Sequence, residues 1–268
     1  MKIAFLFLTI GDLNHEYLWR EYFKGNEDKY NIYCHPKERT NIKSKWMSQY
    51  IIKNIVKTEW GVILNAILEL LKVAIKDKNN NHFVLLSESC IPLKSFNKFY
   101  KFLLKANNKS FVKNMKISEY DKFNLEKNVK KKFNFIKHYA NWSLSRHHIK
   151  KLLIKEEDIK YFLKVIVQEE YFLSVLENRK DIIDYEINNV DWDYTNKFLK
   201  MLKNFKSKKK KINNAKLIMY QEVSKHPRPY FEVNELIVKQ LINSESFFAR
   251  KFHEESNILE FKDQLLAS

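Results

Sequence analysis

Apolar residues come in short blocks with two different periods. The first block, Ile3 to Ile10, is continuous and stops at Gly11-Asp12, which predicts a buried strand followed by a turn. Met1-Lys2 ahead of it resembles a signal-peptide start, but no small-x-small cleavage site follows, so strand is the better reading. Asn14 to Lys24 places Leu18, Tyr22 and Phe23 on or near one helical face, and Tyr30 to His35 reads as a second strand. Thr58 or Glu59 opens a long helix to about Asp77, with Val62, Leu64, Ala66, Leu68, Leu70 and Leu71 supplying apolar faces. Phe83 to Leu86 is uniformly apolar, as in a parallel strand covered on both faces, and Asn97 to Lys105 is a helix. This order predicts a largely parallel, right-handed α/β half.

The second half is less regular. Met115 to Lys132 is lysine-rich and aperiodic and reads as a surface loop. Helices are predicted from Ser145, as N-cap, to Ile154 and from about Ile159 to Glu177. Glu235 to Asn243 reads as a helix and Phe247 to Phe252 as a strand or turn. No internal repeat is visible, and 268 residues suffice for one large α/β domain.

Composition narrows the function classes. The chain carries a net charge of +17, from lysines spread along its length, as in Lys127 to Lys132 and Lys150-Lys151. A dispersed basic surface attracts polyanions weakly without making a nucleic-acid reader. The dense run Lys206 to Lys211 has the form of a localisation or phosphate patch, and reads more simply as a solvated loop. Abundant Lys, Asn and Ile hint at an AT-rich coding sequence, as in a virus or a parasite. Cys34 and Cys90 give no disulfide framework. No apolar run reaches the ~18 to 20 residues of a membrane span. Gly11, Gly25 and Gly61 are the only glycines, which excludes both the G-x-G-x-x-G dinucleotide loop and the Walker phosphate loop.

Candidate chemistry gathers where the third strand ends. Ser87-Glu88-Ser89 lies just past its carboxyl end, where open α/β sheets bind ligands, although in isolation a strand followed by a turn is the simpler reading. Asp191-Trp192-Asp193 has the D-x-D form of a divalent-metal motif, but it follows no strand of the first half. No His or Cys spacing suggests zinc, and His147-His148 reads as a solvated helix start.

Taken together, these segments resemble the core-2/I-branching β-1,6-N-acetylglucosaminyltransferase family, most closely its shorter plant-type branch. The resemblance is carried in order by K-I-A-F-L-F-L-T-I-G (Lys2 to Gly11), L-W-R-E-Y-F-K-G (Leu18 to Gly25), I-Y-C-H (Ile32 to His35), E-W-G (Glu59 to Gly61) and L-L-S-E-S-C-I-P-L (Leu85 to Leu93). It continues through A-N-W-S-L-S-R (Ala140 to Arg146), V-Q-E-E-Y-F (Val167 to Phe172), V-D-W-D-Y (Val190 to Tyr194), H-P-R (His226 to Arg228) and F-A-R-K-F (Phe248 to Phe252). It implies a GT-A-like α/β fold spanning residues 1–268 as one catalytic domain. Residues 1–110 would be the nucleotide-sugar-binding half and residues 133–268 the acceptor and catalytic half. The implied activity is inverting transfer of a sugar from a UDP donor to a glycan or glycoconjugate hydroxyl, with no divalent metal and no other cofactor. UDP-GlcNAc is the first expected donor; UDP-glucuronic acid and UDP-xylose serve related sequences.

The resemblance also assigns roles. It makes Glu169 the general base, with Glu170 as the alternative, because Gln168 and Glu170 stand where relatives usually have Asp and often His. On a helix, Phe162, Ile166, Glu169, Leu173 and Leu176 would share one stripe, and a carboxylate facing a core is costly unless it is paired or used. Arg228 and Lys251 would replace the metal at the diphosphate, with Arg250 adjacent. Thr9, Gly11, His35, Ser87 and Glu88 are expected at the donor, and Trp142, Trp192 and Tyr194 at the acceptor, where aromatic faces suit sugar C–H surfaces. His35 stands where animal members carry Asp. Relatives are usually tethered in the Golgi, whereas no anchor is visible in this chain, which predicts a soluble, cytoplasmic protein. A catalytically silent sugar- or nucleotide-binding module and a basic nucleic-acid-binding protein are the alternatives from other classes.

Overall fold

A computed structural model describes residues 1–129, 132–192 and 227–267. The central sheet contains β1 (Lys2–Thr9), β2 (Tyr30–Pro36), β3 (Asn80–Ser87), β5 (Ser110–Met115), β6 (Lys137–Ser145) and β7 (Ile182–Asp184), in the order β2-β1-β3-β6-β5-β7. β2, β1 and β3 pair in parallel, and so do β5 and β7. β6 runs antiparallel to both β3 and β5, so it is the one reversed strand of an otherwise parallel sheet among the described residues. The mixed α/β, GT-A-like architecture agrees with the expectation.

Both faces of this sheet are covered, and β1 and β3 show why their runs are uniformly apolar. Ala4, Leu6, Phe83 and Leu85 join one core, under α3 (Leu64–Ala74) and α6 (Arg146–Ile154). Phe5, Phe7, Val84 and Leu86 point the other way, into a second core with α1 (Glu16–Phe23) and α4 (Phe96–Ala106). The strand period of two sends alternate side chains to opposite faces, so a strand covered twice needs apolar residues at every position. Phe5 is the hub of the second core. Its ring lies 4.9 Å from Phe23, 6.0 Å from Tyr22 and 6.4 Å from Phe248.

A smaller sheet stands beside the first: β4 (Ile91–Pro92), β9 (Phe248–Arg250) and β8 (Asn188–Val190), in the order β4-β9-β8. Ile91 and Ala249 from this sheet pack in a third core with Val238 and Leu241 of α8 (Glu235–Asn243). The remaining α-helices among the described residues are α2 (Lys45–Ser48), α5 (Glu119–Asn128), α7 (Glu156–Ile159) and α9 (Lys262–Ala267).

Four local expectations are corrected. The helix expected from Thr58 to Asp77 begins only at Leu64, because Gly61, at φ +71°, makes a turn in which Glu59 and Val62 bond each other's main chain. The expected helix from Ile159 to Glu177 is broken into α7 and 3-10 turns at Lys160–Lys164, Gln168–Glu170 and Phe172–Val175. Val165-Ile166-Val167 disfavours a helix through its branched side chains, and Val167 itself adopts φ +56°. The expected loop at Met115 to Lys132 contains α5, which buries only Leu125 and begins with a capping box between Ser118 and Asp121. Its helical character comes from its cap, so it carries almost no periodic signal. Finally, His148 is buried, and its Nδ1 meets Ser110 Oγ at 2.7 Å and Ser145 Oγ at 3.1 Å. Ser145 holds the N-cap position of α6 but caps no N–H with its side chain.

Phe5→Ala is expected to cost about 3–5 kcal/mol, because it empties the centre of an aromatic cluster that cannot fully collapse. Denaturant unfolding followed by tryptophan fluorescence checks this; a loss below about 1 kcal/mol would deny Phe5 that role.

Candidate active site

The site is assembled by the small sheet. β3 ends at Ser87, and the chain turns through Ser87-Cys90, with the Ser87 N–H donating to Cys90 Sγ at 3.3 Å and Ser87 Oγ lying 3.1 Å from Ser89 Oγ. β4 then pairs with β9, Ile91 opposite Ala249 and Pro92 opposite Phe248. The Phe252 N–H donates to the Ser89 carbonyl at 2.9 Å, and Asn14 Nδ2 donates to the Phe252 carbonyl at 2.7 Å. This places Arg250 and Lys251 beside Ser87-Glu88. On its other side β9 runs parallel to β8, with Arg250 opposite Val190, and Trp192 follows two residues later.

The facing wall comes from the broken helical segment. The Val167 N–H donates to the Gly61 carbonyl at 2.9 Å, and Glu169 and Glu170 lie in the 3-10 turn that follows. A Cβ on Gly61 would stand 3.1 Å from Val167 N and 3.2 Å from Ile166 Cγ2, so the two segments touch where only glycine fits comfortably.

Between these walls is a cleft of about 360 Å³, in the size range of small-molecule sites. Thr9, Trp60, Ser87, Glu88, Asn141, Glu169, Glu170, Trp192, Arg250 and Lys251 are among the residues lining it. It lies at the carboxyl ends of β1 and β3, where an open parallel sheet leaves its crevice.

The two neighbouring carboxylates differ in their partners. Glu169 is 7% exposed, and its Oε2 has no hydrogen-bond partner among the described residues. Burial pushes its carboxyl up to about 7; its own amide and the Arg250 charge pull it down, and Glu170 adds to the rise. Glu170 is also raised by burial, but Lys137 opposes this from 3.7 Å. Lys137 in turn meets Asp121 at 3.2 Å, and Tyr171 OH donates to Asp121 at 2.7 Å. Glu170 thus belongs to an ion network, whereas Glu169 lines the cleft with one buried carboxylate oxygen that has no hydrogen-bond partner among the described residues. Arg250 Nη1 donates to Asn141 Oδ1 at 3.3 Å, and its buried Nε has no hydrogen-bond partner among the described residues. Lys251 is lowered by burial and by Arg250, with Glu88 opposing.

The sequence model of the core-2/I-branching enzyme family matches residues 3–227. The chain belongs to the core-2/I-branching enzyme family. Among curated proteins, Glycosyltransferase BC10 of Oryza sativa subsp. japonica is 31% identical over 119 residues. That alignment covers 41% of this chain and 30% of the rice protein, so the two share a segment and not their whole lengths. A solved structure, the crystal structure of A197 from STIV, aligns over 56% of this chain and 68% of its own at 10% identity, with a TM-score of 0.29. A score that low says nothing about the fold.

The residues expected from the core-2/I-branching resemblance fall into three groups. Thr9, Ser87, Glu88, Glu169, Glu170, Trp192 and Lys251 line one cleft. Gly11, His35, Trp142 and Arg228 are not among the lining residues. His35 is fully buried, and its Nε2 accepts the Val56 N–H at 3.0 Å. Trp142 is fully buried in the first core, its ring 6.3 Å from Phe172. Arg228 lies 3.7 Å from Asp191 and over the Tyr230 ring at 5.3 Å. Tyr194, Asp193, His226 and Lys206 to Lys211 lie outside the described residues. Among the described residues no group of three or more His, Cys, Asp and Glu is arranged to hold a metal ion.

Among the lining residues that carried no assigned role in the sequence reading are Trp60, Asn141 and Arg250. Asn141 was legible in principle. In β6 the neighbours Asn141 and Trp142 must face opposite sides, and once Trp142 is core its neighbour faces the cleft. Arg250 and Lys251 both reach the cleft, which a strict strand alternation would not suggest.

Gly61→Ala is expected to cost about 1–3 kcal/mol, combining a left-handed backbone position with a close approach to Val167. A thermal melt and proteolysis of the 160–176 segment check this. An unchanged melt would show that the two walls do not depend on that contact.

Proposed function

We propose that the protein is an inverting, metal-independent glycosyltransferase that moves a sugar, GlcNAc from UDP-GlcNAc being the first choice, to a glycan hydroxyl. The observation that carries this reading is a buried, incompletely bonded carboxylate, Glu169, in the same cleft as Arg250 and Lys251. Family membership and the glycosyltransferase relative support the reaction class.

Glu169 takes the proton of the acceptor hydroxyl. The freed oxygen lone pair forms a bond to the anomeric carbon from the face opposite UDP, and the bond from that carbon to the diphosphate oxygen breaks. Its electron pair leaves with UDP, and the anomeric configuration inverts. A carboxyl held near 7 by burial is matched to this task, since it is a stronger base than an ordinary glutamate and about half of it is ionised at neutral pH. Two adjacent cations stabilise the negative charge growing on the leaving diphosphate: an Arg fork binds two oxygens at once, and a Lys adds a point charge. In this reading Arg250 does work that the resemblance gives to Arg228, which lies 3.7 Å from Asp191. No step requires a divalent metal.

The decisive measurement is UDP release from a panel of UDP-sugars, with and without acceptor and chelator. Release with no donor, or release abolished by the chelator, would overturn the proposal. Glu169→Gln is expected to lower turnover by roughly 10² to 10⁴ with donor binding intact. Lys251→Ala and Arg250→Ala are expected to weaken UDP binding by roughly tenfold or more each, read by calorimetry.

The pH profile follows from the same geometry. Glu169 must be deprotonated to act, so activity should rise as pH passes through about 7. The Arg250 charge helps to hold that carboxyl down, so Arg250→Ala should move this limb to higher pH. The effect on folding has the opposite sign. The folded state keeps the Glu169 proton above the unfolded carboxyl's ordinary 4.5, so this group's contribution to stability falls as pH rises through about 7. A pH–rate profile whose acid limb ignores both Glu169 and Arg250 substitutions would place the base elsewhere.

A further inference from the structure

Asn14 and His15 lie in the connection between β1 and α1, and both reach the far end of the chain. The Asn14 main-chain N–H donates to the Glu88 carbonyl at 3.0 Å, and its side-chain Nδ2 donates to the Phe252 carbonyl at 2.7 Å. His15 Nε2 meets the next carbonyl, that of His253, at 2.8 Å. Asn14 therefore ties the segment that carries Glu88 to the segment that carries Lys251, and both of those residues line the cleft. Neither Asn14 nor His15 is among the lining residues.

The local helix does not account for these two side chains. His15 holds the N-cap position of α1 but caps no N–H with its ring, and His is not among the favoured caps. A carbonyl only accepts, so His15 Nε2 carries a proton and donates it to the His253 carbonyl. The Asn14 amide, which could have capped a helix, is spent on Phe252 instead. Its neighbours on the chain's far end are fixed as well. The Tyr230 N–H donates to the Lys251 carbonyl at 2.8 Å, the Phe252 N–H to the Ser89 carbonyl at 2.9 Å, and the His253 N–H to the Tyr230 carbonyl at 3.0 Å. A lysine ammonium sits on a flexible four-carbon stem, so its placement depends on how firmly its main chain is held. Taking away the Asn14 amide takes a donor from the peptide group that joins Phe252 to His253, one residue past Lys251.

We propose that Asn14 is a positioning residue for Lys251, holding its main chain against the Glu88 segment so that the ammonium meets the diphosphate of a nucleotide donor. The proposal rests on the sugar-transfer reading, in which Lys251 neutralises that diphosphate. Asn14 touches no substrate, and its effect passes through Lys251.

The test is a double-mutant cycle on the full chain, with UDP and uridine as probes, read by calorimetry and ligand-observed NMR. The unsubstituted chain is expected to bind UDP roughly tenfold or more tightly than uridine, and Lys251→Ala to remove most of that margin. Asn14→Ala leaves the main-chain bond to Glu88 available. It is expected to weaken UDP roughly fivefold and uridine less than about twofold, since preorganisation of the cation is lost and the nucleoside contacts stay. In the Lys251→Ala background the same substitution should weaken UDP less than about twofold, because residues that act as one unit are not additive. An unchanged UDP affinity, equal losses for UDP and uridine, or additive losses in the double variant would each overturn the proposal. Asn14→Leu, close in shape but without a donor, decides the matter if Asn14→Ala does not fold, and failure of both to fold would make the residue structural and overturn it too. If the unsubstituted chain binds UDP no more tightly than uridine, or Lys251→Ala keeps the whole margin, the diphosphate assignment falls and takes this proposal with it. A margin that depends on Lys251 and ignores Asn14 sinks this proposal alone.

Discussion

The site depends on the pairing of β4 with β9. Two residues after the turn that ends β3 bond to a strand near the end of the chain, and Asn14 reaches the carbonyl of Phe252 across 238 positions. Closing so long a loop costs chain entropy, although the cost grows only with the logarithm of its length. Burial offsets it: Phe248 is fully buried against Trp19 and Phe99, and Ala249 and Phe252 fill the third core. The side chains that lock β9 in place are apolar, and the two that follow in the sequence, Arg250 and Lys251, are thereby carried to the ends of β1 and β3. Hydrophobic packing positions cationic chemistry.

The same logic explains what the sequence made legible. β1 and β3 could be read because a strand covered on both faces has no polar position to spare, and the boundaries of α8 could be read because its apolar spacing and Asn234 cap agree. Elements held by something other than periodic burial were opaque. α5 rests on a capping box and one buried Leu. The turn at Glu59 to Val62 rests on one glycine, and the 160–176 segment on a main-chain bond to that glycine. Glu169 shows the difference well. Its burial was anticipated from a helical stripe that does not exist, since Ile166 of that stripe is 66% exposed. The carboxylate is buried because a tight turn folds it inward, and tertiary contact of this kind leaves no period in the sequence.

Charge is distributed unevenly between chemistry and surface. Many of the lysines that give the chain its excess sit on exposed positions, in pairs such as Lys122 with Glu119 or Lys160 with Glu157, where solvent leaves little net energy. In the cleft the balance differs. Glu170 shares Lys137 with Asp121, a network that satisfies its members and keeps them where they are. Glu169 has only its own amide and the Arg250 charge to favour its ionised form, against burial and the charge of Glu170.

Family membership and geometry speak to different links of the argument. Membership rests on ordered segments across residues 3–227 and concerns the reaction class. Geometry concerns which side chains share a space, and there the two readings part at one residue type. The resemblance gives the arginine of the diphosphate site to Arg228; the cleft contains Arg250, while Arg228 stands beside Asp191 and Tyr230. An arginine fork can serve either place, since its planar donors match a diphosphate and a carboxylate equally well. What separates them is place: Arg250 lines the cleft that holds Glu169 and Lys251, and Arg228 is not among its lining residues. Arg250 ends a paired strand whose neighbours on both sides are fixed by main-chain bonds, and preorganisation of that kind is what a developing negative charge rewards.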